Sequence, residues 1–214
     1  LAVILTNSNL MSELKEQIKS KAFKTFLKYG FRSVTMDDLC KELTMSKKTL
    51  YQFFSNKEEL LKESIASFQA EKQKQSDNLQ TIAKNPIELI FLVLKGYMDD
   101  AKVNNAQKYQ DLKKYYYDIW SEAVHCNESY VSNKIIENLR EGIKAGLYRE
   151  EINERVIAKL FYHKSMLLSD QESFPATEFN PKEVIRELVT YHLNGICTEK
   201  GRKLTNEYIK KYFK

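Results

Sequence analysis

The chain has 214 residues, 43% of them hydrophobic and 29% charged, with six glycines, three prolines and a formal net charge of +5. This is material for two small domains or one larger one, and the scarcity of Gly and Pro excludes collagen-like and low-complexity classes in favour of a mostly helical chain. The mild positive charge permits a nucleic-acid partner without requiring one, while Cys40, Cys126 and Cys197, odd in number and widely spaced, fit reduced thiols and exclude a disulfide or zinc framework.

Taken in order, residues 1–11 (LAVILTNSNLM) begin without a methionine. Their apolar run, Leu1 to Leu5, is too short for a membrane span and lacks a basic flank. A leader or disordered arm is expected, with Met11 a possible start. No later run approaches membrane length, so the expected address is cytoplasmic. From Ser12, the apolar positions Leu14, Ile18, Ala22 and Phe26, joined by Phe23 and Leu27, predict an amphipathic helix ending at Gly30, a left-handed cap. Its outer face carries Lys15, Lys19, Lys21 and Lys24, read mainly as solvated cations.

Residues 35–57, TMDDLCKELTMSKKTLYQFFSNK, hold two short helical patterns. Thr35 can accept the free N–H of Asp38, and Asp37 and Asp38 suit the positive end of a helix dipole. Met36, Leu39, Cys40 and Leu43 share one face. Ser46 caps again after a break at Thr44-Met45, opening a helix from Lys47 to Phe53 or Phe54. Leu50, Phe53 and Phe54 can face its core, leaving Lys47, Lys48, Thr49, Tyr51 and Gln52 outside. Asn56, with Glu59 as capping-box partner, opens a third helix. The residue types suit a helix in a DNA major groove: Lys donates to guanine, Gln matches adenine, and hydroxyls and cations hold phosphates. An ordinary helical hairpin with a solvated basic face fits the same pattern.

The stretch from Ile18 to Leu61 does more than fit a pattern. With Ala22-Phe23, Gly30-Phe31, Thr35-Met36, Leu39, Ser46 and the fixed run Thr49-Leu50-Tyr51-x-x-Phe54-x-x-Lys57-x-x-Leu60, it resembles the N-terminal DNA-binding domain of TetR-family transcriptional regulators. The resemblance implies that Lys47, Lys48, Thr49, Tyr51 and Gln52 occupy recognition-helix positions. It implies that Thr35, Tyr51 and Lys57 grip phosphate, with Ser46 among the DNA-binding residues. Two departures stand out, Thr44 and Lys48 where the family commonly has Gly. A threonine held at positive φ is strained by about 1–3 kcal/mol, and Lys48 adds a cation to the reading face.

A helix from Glu58 to about Ala83, apolar at Leu60, Leu61, Ile65 and Phe68 and then polar, reads as a lever out of this head. Asn85-Pro86 marks the clearest boundary. Beyond it only helices are expected: Ile87 to Lys102, Gln107 to Tyr115, Tyr117 to Ala145, Asn153 to Ser169 and Pro181 to Thr198. Breaks fall at Asn104-Asn105, Gly146 and the Pro175-to-Pro181 loop. This order, with Gly142-x-x-x-Gly146-Leu147-Tyr148-Arg149 and Gly195-Ile196-x-Thr198-Glu199-Lys200-Gly201, more loosely resembles the effector-binding and dimerisation half of the same family.

Val156, Leu160, Phe161 and Leu167, with Val184, Leu188, Tyr191 and Ile196, offer more apolar surface than one core needs. The resemblance makes them a four-helix dimer interface; internal core is the other reading. Tyr97, Tyr116, Trp120, His125 and Tyr162 are candidates for an effector pocket, with Tyr115, Tyr117 and His163 as further aromatic bodies with polar tips. Ordinary core or surface placement is the alternative for each. His125-Cys126 diverge by about 100° on a helix and lack a third ligand, so no metal site is expected. No phosphate loop, nucleophile elbow or His-Glu-x-x-His occurs, and no cofactor or catalytic residue is assigned.

The expected fold is therefore all-α: a leader or arm (1–11), a helix-turn-helix domain (12–57), a connecting helix (58–84), an effector-binding and dimerisation bundle (85–200) and a basic tail (201–214). The expected function is a one-component regulator, a repressor that binds a near-palindromic operator in double-stranded DNA as a homodimer and is released by a small molecule. An all-helical protein-binding scaffold and a helical enzyme remain as alternatives.

Overall fold

The structure, a computed structural model, describes residues 2–100, 106–170 and 172–213, without the side chains of residues 2–8, 97, 99, 100, 106–109 and 169. Among the described residues regular structure is helical, and a single backbone bridge between Tyr148 and Cys197 is the one strand-like feature. The helices are α1 (Ala2–Tyr29), α2 (Met36–Leu43), α3 (Lys47–Phe53), α4 (Lys57–Ile82), α5 (Pro86–Asp100), α6 (Ala106–Tyr115), α7 (Tyr117–Lys144), α8 (Glu154–Met166), α9 (Pro181–Ile196) and α10 (Glu199–Tyr212). A 3-10 turn, Leu167–Ser169, follows α8. Their starts sit where the side chains dictate. Thr35, Ser46, Asn153, Asn180 and Thr198 each cap a helix by accepting a free backbone N–H two or three residues on. Pro86 and Pro181 stand at first helical positions, where a missing N–H costs nothing.

Two ends depart from expectation. Residues 2–11, expected as a leader or arm, continue α1, since no Gly or Pro interrupts the backbone before Gly30. Residues 201–214, expected as a basic tail, belong through Tyr212 to α10. Lys211 Nζ and Tyr212 Oη of that helix meet the buried Glu88 carboxylate at 2.9 and 3.1 Å, and Phe91 packs against the rings of Tyr208, Tyr212 and Phe213. The cations of this segment thus have a specific partner, and its aromatic residues have a core.

The described residues form two compact units. The first comprises residues up to Lys74 and Gln107–Val124; the second, Gln75–Ala106 and the chain from His125 onward. Residues 107–124, expected in the C-terminal bundle, thus pack with the first unit. The connecting helix divides between the two, and α4 and α7 each contribute to both. In the first unit, Ile18, Ala22, Phe23 and Phe26 of α1 bury against Leu39 and Cys40 of α2, Leu50 of α3, Leu60, Leu61 and Ile65 of α4, and Leu112 of α6.

The second unit is centred on Ile87, Phe91 and Leu94 of α5, Leu139 of α7, and Ile185, Val189, Leu193 and Ile196 of α9. Its two glycine-bearing sequences meet here. Arg149 N–H donates to Ile196 O at 2.9 Å and Thr198 N–H to Leu147 O at 3.0 Å. Gly146, at φ +66°, ends α7 in the left-handed conformation. Gly142 faces the buried Tyr148 ring so closely that an added Cβ would lie 2.0 Å from it, and a Cβ on Gly201 would lie 2.2 Å from Leu147 O. Gly195, by contrast, faces open space. Gly201→Ala should therefore destabilise the chain by about 1–3 kcal/mol, while Gly195→Ala should be neutral or stabilise by up to about 1 kcal/mol. Urea unfolding of the two variants side by side checks the contrast.

Candidate nucleic-acid interface and internal cavity

The surface built by α2 and α3 is set by its turn. Thr44 sits at φ 53°, ψ 46°, the one described non-glycine residue with positive φ. The helix end nonetheless closes, since Thr44 N–H donates to Lys41 O and Met45 N–H to Cys40 O at 3.1 and 2.9 Å. The expected strain is present, offset by these bonds. Ser46 then accepts Thr49 N–H at 3.1 Å, and its hydroxyl lies 2.8 Å from that of Thr49. Both hydroxyls are committed to starting α3. Thr35 is likewise a cap, in a reciprocal box with Asp38 whose hydrogen bonds hold that carboxyl below its usual range.

Leu50 and Phe54 point inward and are buried, so the opposite face of α3 is left to solvent. Lys48, Tyr51 and Gln52 are exposed there, Tyr51 at 49%, and no hydrogen bond or ion pair engages their side chains among the described residues. Lys47, also exposed, pairs with Asp37 at 2.7 Å, which raises its pKa. Lys57 donates to Arg32 O at 2.9 Å and lies 5.5 Å from the centre of the Tyr116 ring, so it also fastens the segment before α2. Arg32, which the sequence pattern did not single out, stacks 4.4 Å from the centre of the Tyr115 ring and donates to its hydroxyl at 3.0 Å.

In the second unit, α4, α5, α7, α8 and α9 line a cavity of about 340 Å³ that is partly open to solvent. Leu89, Ile90, Val93 and Leu94 of α5 form one wall and Val131, Ile135 and Leu139 of α7 another; Phe161, Met166 and Leu168 complete the apolar lining. The polar side chains of the lining are matched within the protein. Tyr162 pairs with Asn127, and Ser165 donates to Tyr162 O. Tyr130 donates to Asp77 at 3.0 Å and bonds with Ser76. Lys134 meets Asp77 at 3.0 Å, Glu137 at 3.2 Å and Gln80 at 3.3 Å. Asn138 bridges Pro86 O and the Tyr148 hydroxyl at 2.8 and 3.0 Å. His192 is the exception: it is 7% exposed and stacks on Phe161 at 4.1 Å, and its ring nitrogens have no hydrogen-bond partner among the described residues. Burial, reinforced by the charge of Lys164, pushes its pKa down to about 4.

Of the expected effector residues, Tyr162 lines this cavity. Tyr116 and Trp120 do not, because both pack against the core of the first unit. His125 is exposed, and the side chain of Tyr97 and the break at Asn104-Asn105 lie outside the described residues. Tyr117 is exposed, and His163 lies on the surface 3.7 Å from Glu128. The cavity residues missed by the sequence reading carry one retrospective signal: Val131, Ile135 and Leu139 recur at i, i+4 and i+8 on one face of α7. Of the expected interface residues, Val156, Leu160, Leu167 and Tyr191 are exposed, the last at 71%, and Phe161, Val184 and Leu188 are half-buried. Ile196 is a correction: it is buried in the unit's own core, where the last turn of α9 meets Leu147 and Tyr148.

Residues 18–64 match the family model described as bacterial regulatory proteins, tetR family. Over 195 residues the chain is 26% identical to the uncharacterised HTH-type transcriptional regulator YvaF of Bacillus subtilis (strain 168), covering 90% of this chain and all of that one. The fold is similar to that of the fatty acid degradation regulator FadR from Bacillus halodurans, with a TM-score of 0.67, 16% identity and coverage of 85% of this chain and 95% of that one. It is also similar to a TetR-family transcriptional regulator from Agrobacterium tumefaciens, with a TM-score of 0.66, 14% identity and coverage of 87% and 99%. No described helix is long and apolar enough to cross a membrane.

The buried imidazole makes a pH prediction. Its folded pKa of about 4 lies below the ordinary 6.5, so as pH falls the unfolded chain takes up the proton first. The stability held by the neutral ring is complete above about pH 6.5 and drains away between 6.5 and 4, by roughly 3 kcal/mol. Urea unfolding across this range should show the wild-type chain losing that much more than His192→Phe.

Proposed function

We propose that this chain, a member of the TetR family of transcriptional regulators, is a repressor that binds a near-palindromic operator as a two-fold dimer and releases it when a small molecule occupies the second unit. The observation that carries the reading is the outward face of α3, where Lys48, Tyr51 and Gln52 stand exposed and unengaged over a buried Leu50. These are groups a major groove can use. Lys48 suits guanine, Gln52 adenine, and Tyr51 a phosphate oxygen. Thr35 and Ser46 stand at the starts of α2 and α3, the positive ends of the two helix dipoles, beside which a phosphate is favoured. Lys47 would exchange Asp37 for phosphate.

Dimerisation is supported by the exposed apolar residues of α8 and α9. Val156 and Leu160 stand one turn apart on α8, Leu167 opens the 3-10 turn after it, and Tyr191 stands exposed on α9. A two-fold pair with recognition helices about 34–36 Å apart would read successive major grooves. The cavity supports the effector step. To change operator occupancy a hundredfold, its occupant must distinguish two dimer states by about 2.7 kcal/mol.

Two outcomes are expected. In selection from a random DNA pool followed by salt titration, Tyr51→Phe should weaken binding to all sequences alike, while Lys48→Ala and Gln52→Ala should relax preference at single base positions by about 1–3 kcal/mol. Equal losses on every sequence from all three would refute the division of roles. In sedimentation experiments, Leu160→Glu should raise the dimer dissociation constant by about thirtyfold or more.

A further inference from the structure

We propose that the cavity of the second unit is built for an uncharged, mainly apolar molecule whose hydrogen-bonding group, a hydroxyl or carbonyl, is held by His192. This rests on the reading of that cavity as the effector site and narrows it to a ligand class.

A polar group that faces an apolar pocket without a protein partner is the one an occupant can satisfy. Every other polar side chain of the lining is bonded within the protein, so an occupant gains little from them. His192 is more than nine-tenths buried on the cavity wall, with both ring nitrogens unmatched among the described residues. As a neutral imidazole it offers one donor and one acceptor, which a hydroxyl can use in either sense and a carbonyl can accept from. The stacked Phe161 fixes the plane of the ring, so the direction of that bond is set before a ligand arrives.

The charges argue against an anion. Lys134 is the cation of the lining, and it already faces two carboxylates, Asp77 and Glu137, which an incoming acid would have to displace or repel. Lys164 is the charged group acting on His192, and it lies 4.6 Å from the centre of the exposed Tyr191 ring. Charging the imidazole to meet a carboxylate at pH 7 would cost about a thousandfold in binding, from a pKa near 4. An apolar body, by contrast, gains contact with the aliphatic walls.

The test uses the full chain, 1-decanol and decanoate at pH 7.5, and isothermal titration. Wild type should bind decanol at least tenfold more tightly than decanoate. His192→Phe, which keeps the stack but removes both nitrogens, should cost decanol about tenfold and leave decanoate unchanged, and His192→Gln should recover part of the loss. Comparable binding of decanoate and decanol by the wild type overturns the proposal without any variant. So does undiminished decanol binding by His192→Phe, or no binding of either probe. Complexes with pool-selected DNA separate the two readings. His192-dependent decanol binding that leaves DNA bound upholds the ligand class and refutes the effector role. Release by decanoate in preference to decanol does the reverse.

Discussion

The seven residues of α3 are too few to hold a helix in water, where isolated helices shorter than about 12 residues are marginal. Its outward face therefore depends on the burial of Leu50 within the helix and of Phe54 just after it, in the core they share with Ile18, Ala22 and Phe26 of α1 and Leu39 of α2. That contact fixes which side of the helix is inside, and so which side chains are left outside. The caps at Thr35 and Ser46 supplement it by satisfying backbone donors that the short helices cannot. Thr44 shows how firmly the packing rules: a β-branched residue is held in the left-handed region, where glycine would sit without strain, because the direction of the chain from α2 to α3 is dictated by the core.

The second unit is held by close backbone approach as much as by apolar burial. Gly142 against Tyr148 and Gly201 against Leu147 let the end of α7 and the start of α10 meet at a distance no side chain permits. The Tyr148 hydroxyl then passes this geometry to Asn138, and Asn138 to the start of α5, so one wall of the cavity is tied to the glycine junction by two hydrogen bonds. This frame borders the cavity through Asn138 and Leu139 of α7 and Leu89 and Ile90 of α5. Glu88 anchors α10 to α5 from the other end of the same frame.

Much of this was readable from local chemistry. Capping residues announce helix starts because a free N–H needs an acceptor nearby in sequence, and the face of α3 follows from Leu50, Phe53 and Phe54. What escaped depends on partners far along the chain. Lys210 and Lys211 look like a solvated tail until Glu88, more than a hundred residues away, is seen to meet Lys211. Tyr116 and Trp120 share a face with Ile119 and Ala123, but nothing local says that this face serves the first unit's core. His192 follows Ile185 and Val189 at helical spacing on the buried face of α9, but its lowered pKa comes from burial and from Lys164, which lies far off in sequence. Ile196 continues the buried stripe Ile185, Val189 and Leu193 of α9, which places it in the unit's own core with Leu147.

The proposed coupling has a concrete carrier. Ser76 and Gln80 of α4 and the run from Asn127 to Leu139 of α7 line the cavity, while Leu60, Leu61 and Ile65 of α4 and Ile119, Trp120 and Ala123 of α7 pack in the unit that bears α3. An occupant would touch both helices at once. It changes DNA affinity only if the arrangement of α4 and α7 it favours differs from the one the operator-bound dimer favours. The ion pair between Lys134 of α7 and Asp77 of α4, with the Tyr130–Asp77 and Lys134–Gln80 hydrogen bonds, fastens these helices at the cavity. A ligand that leaves it intact would act through His192 of α9 and the apolar walls of α5 and α7 rather than through the charged fastening.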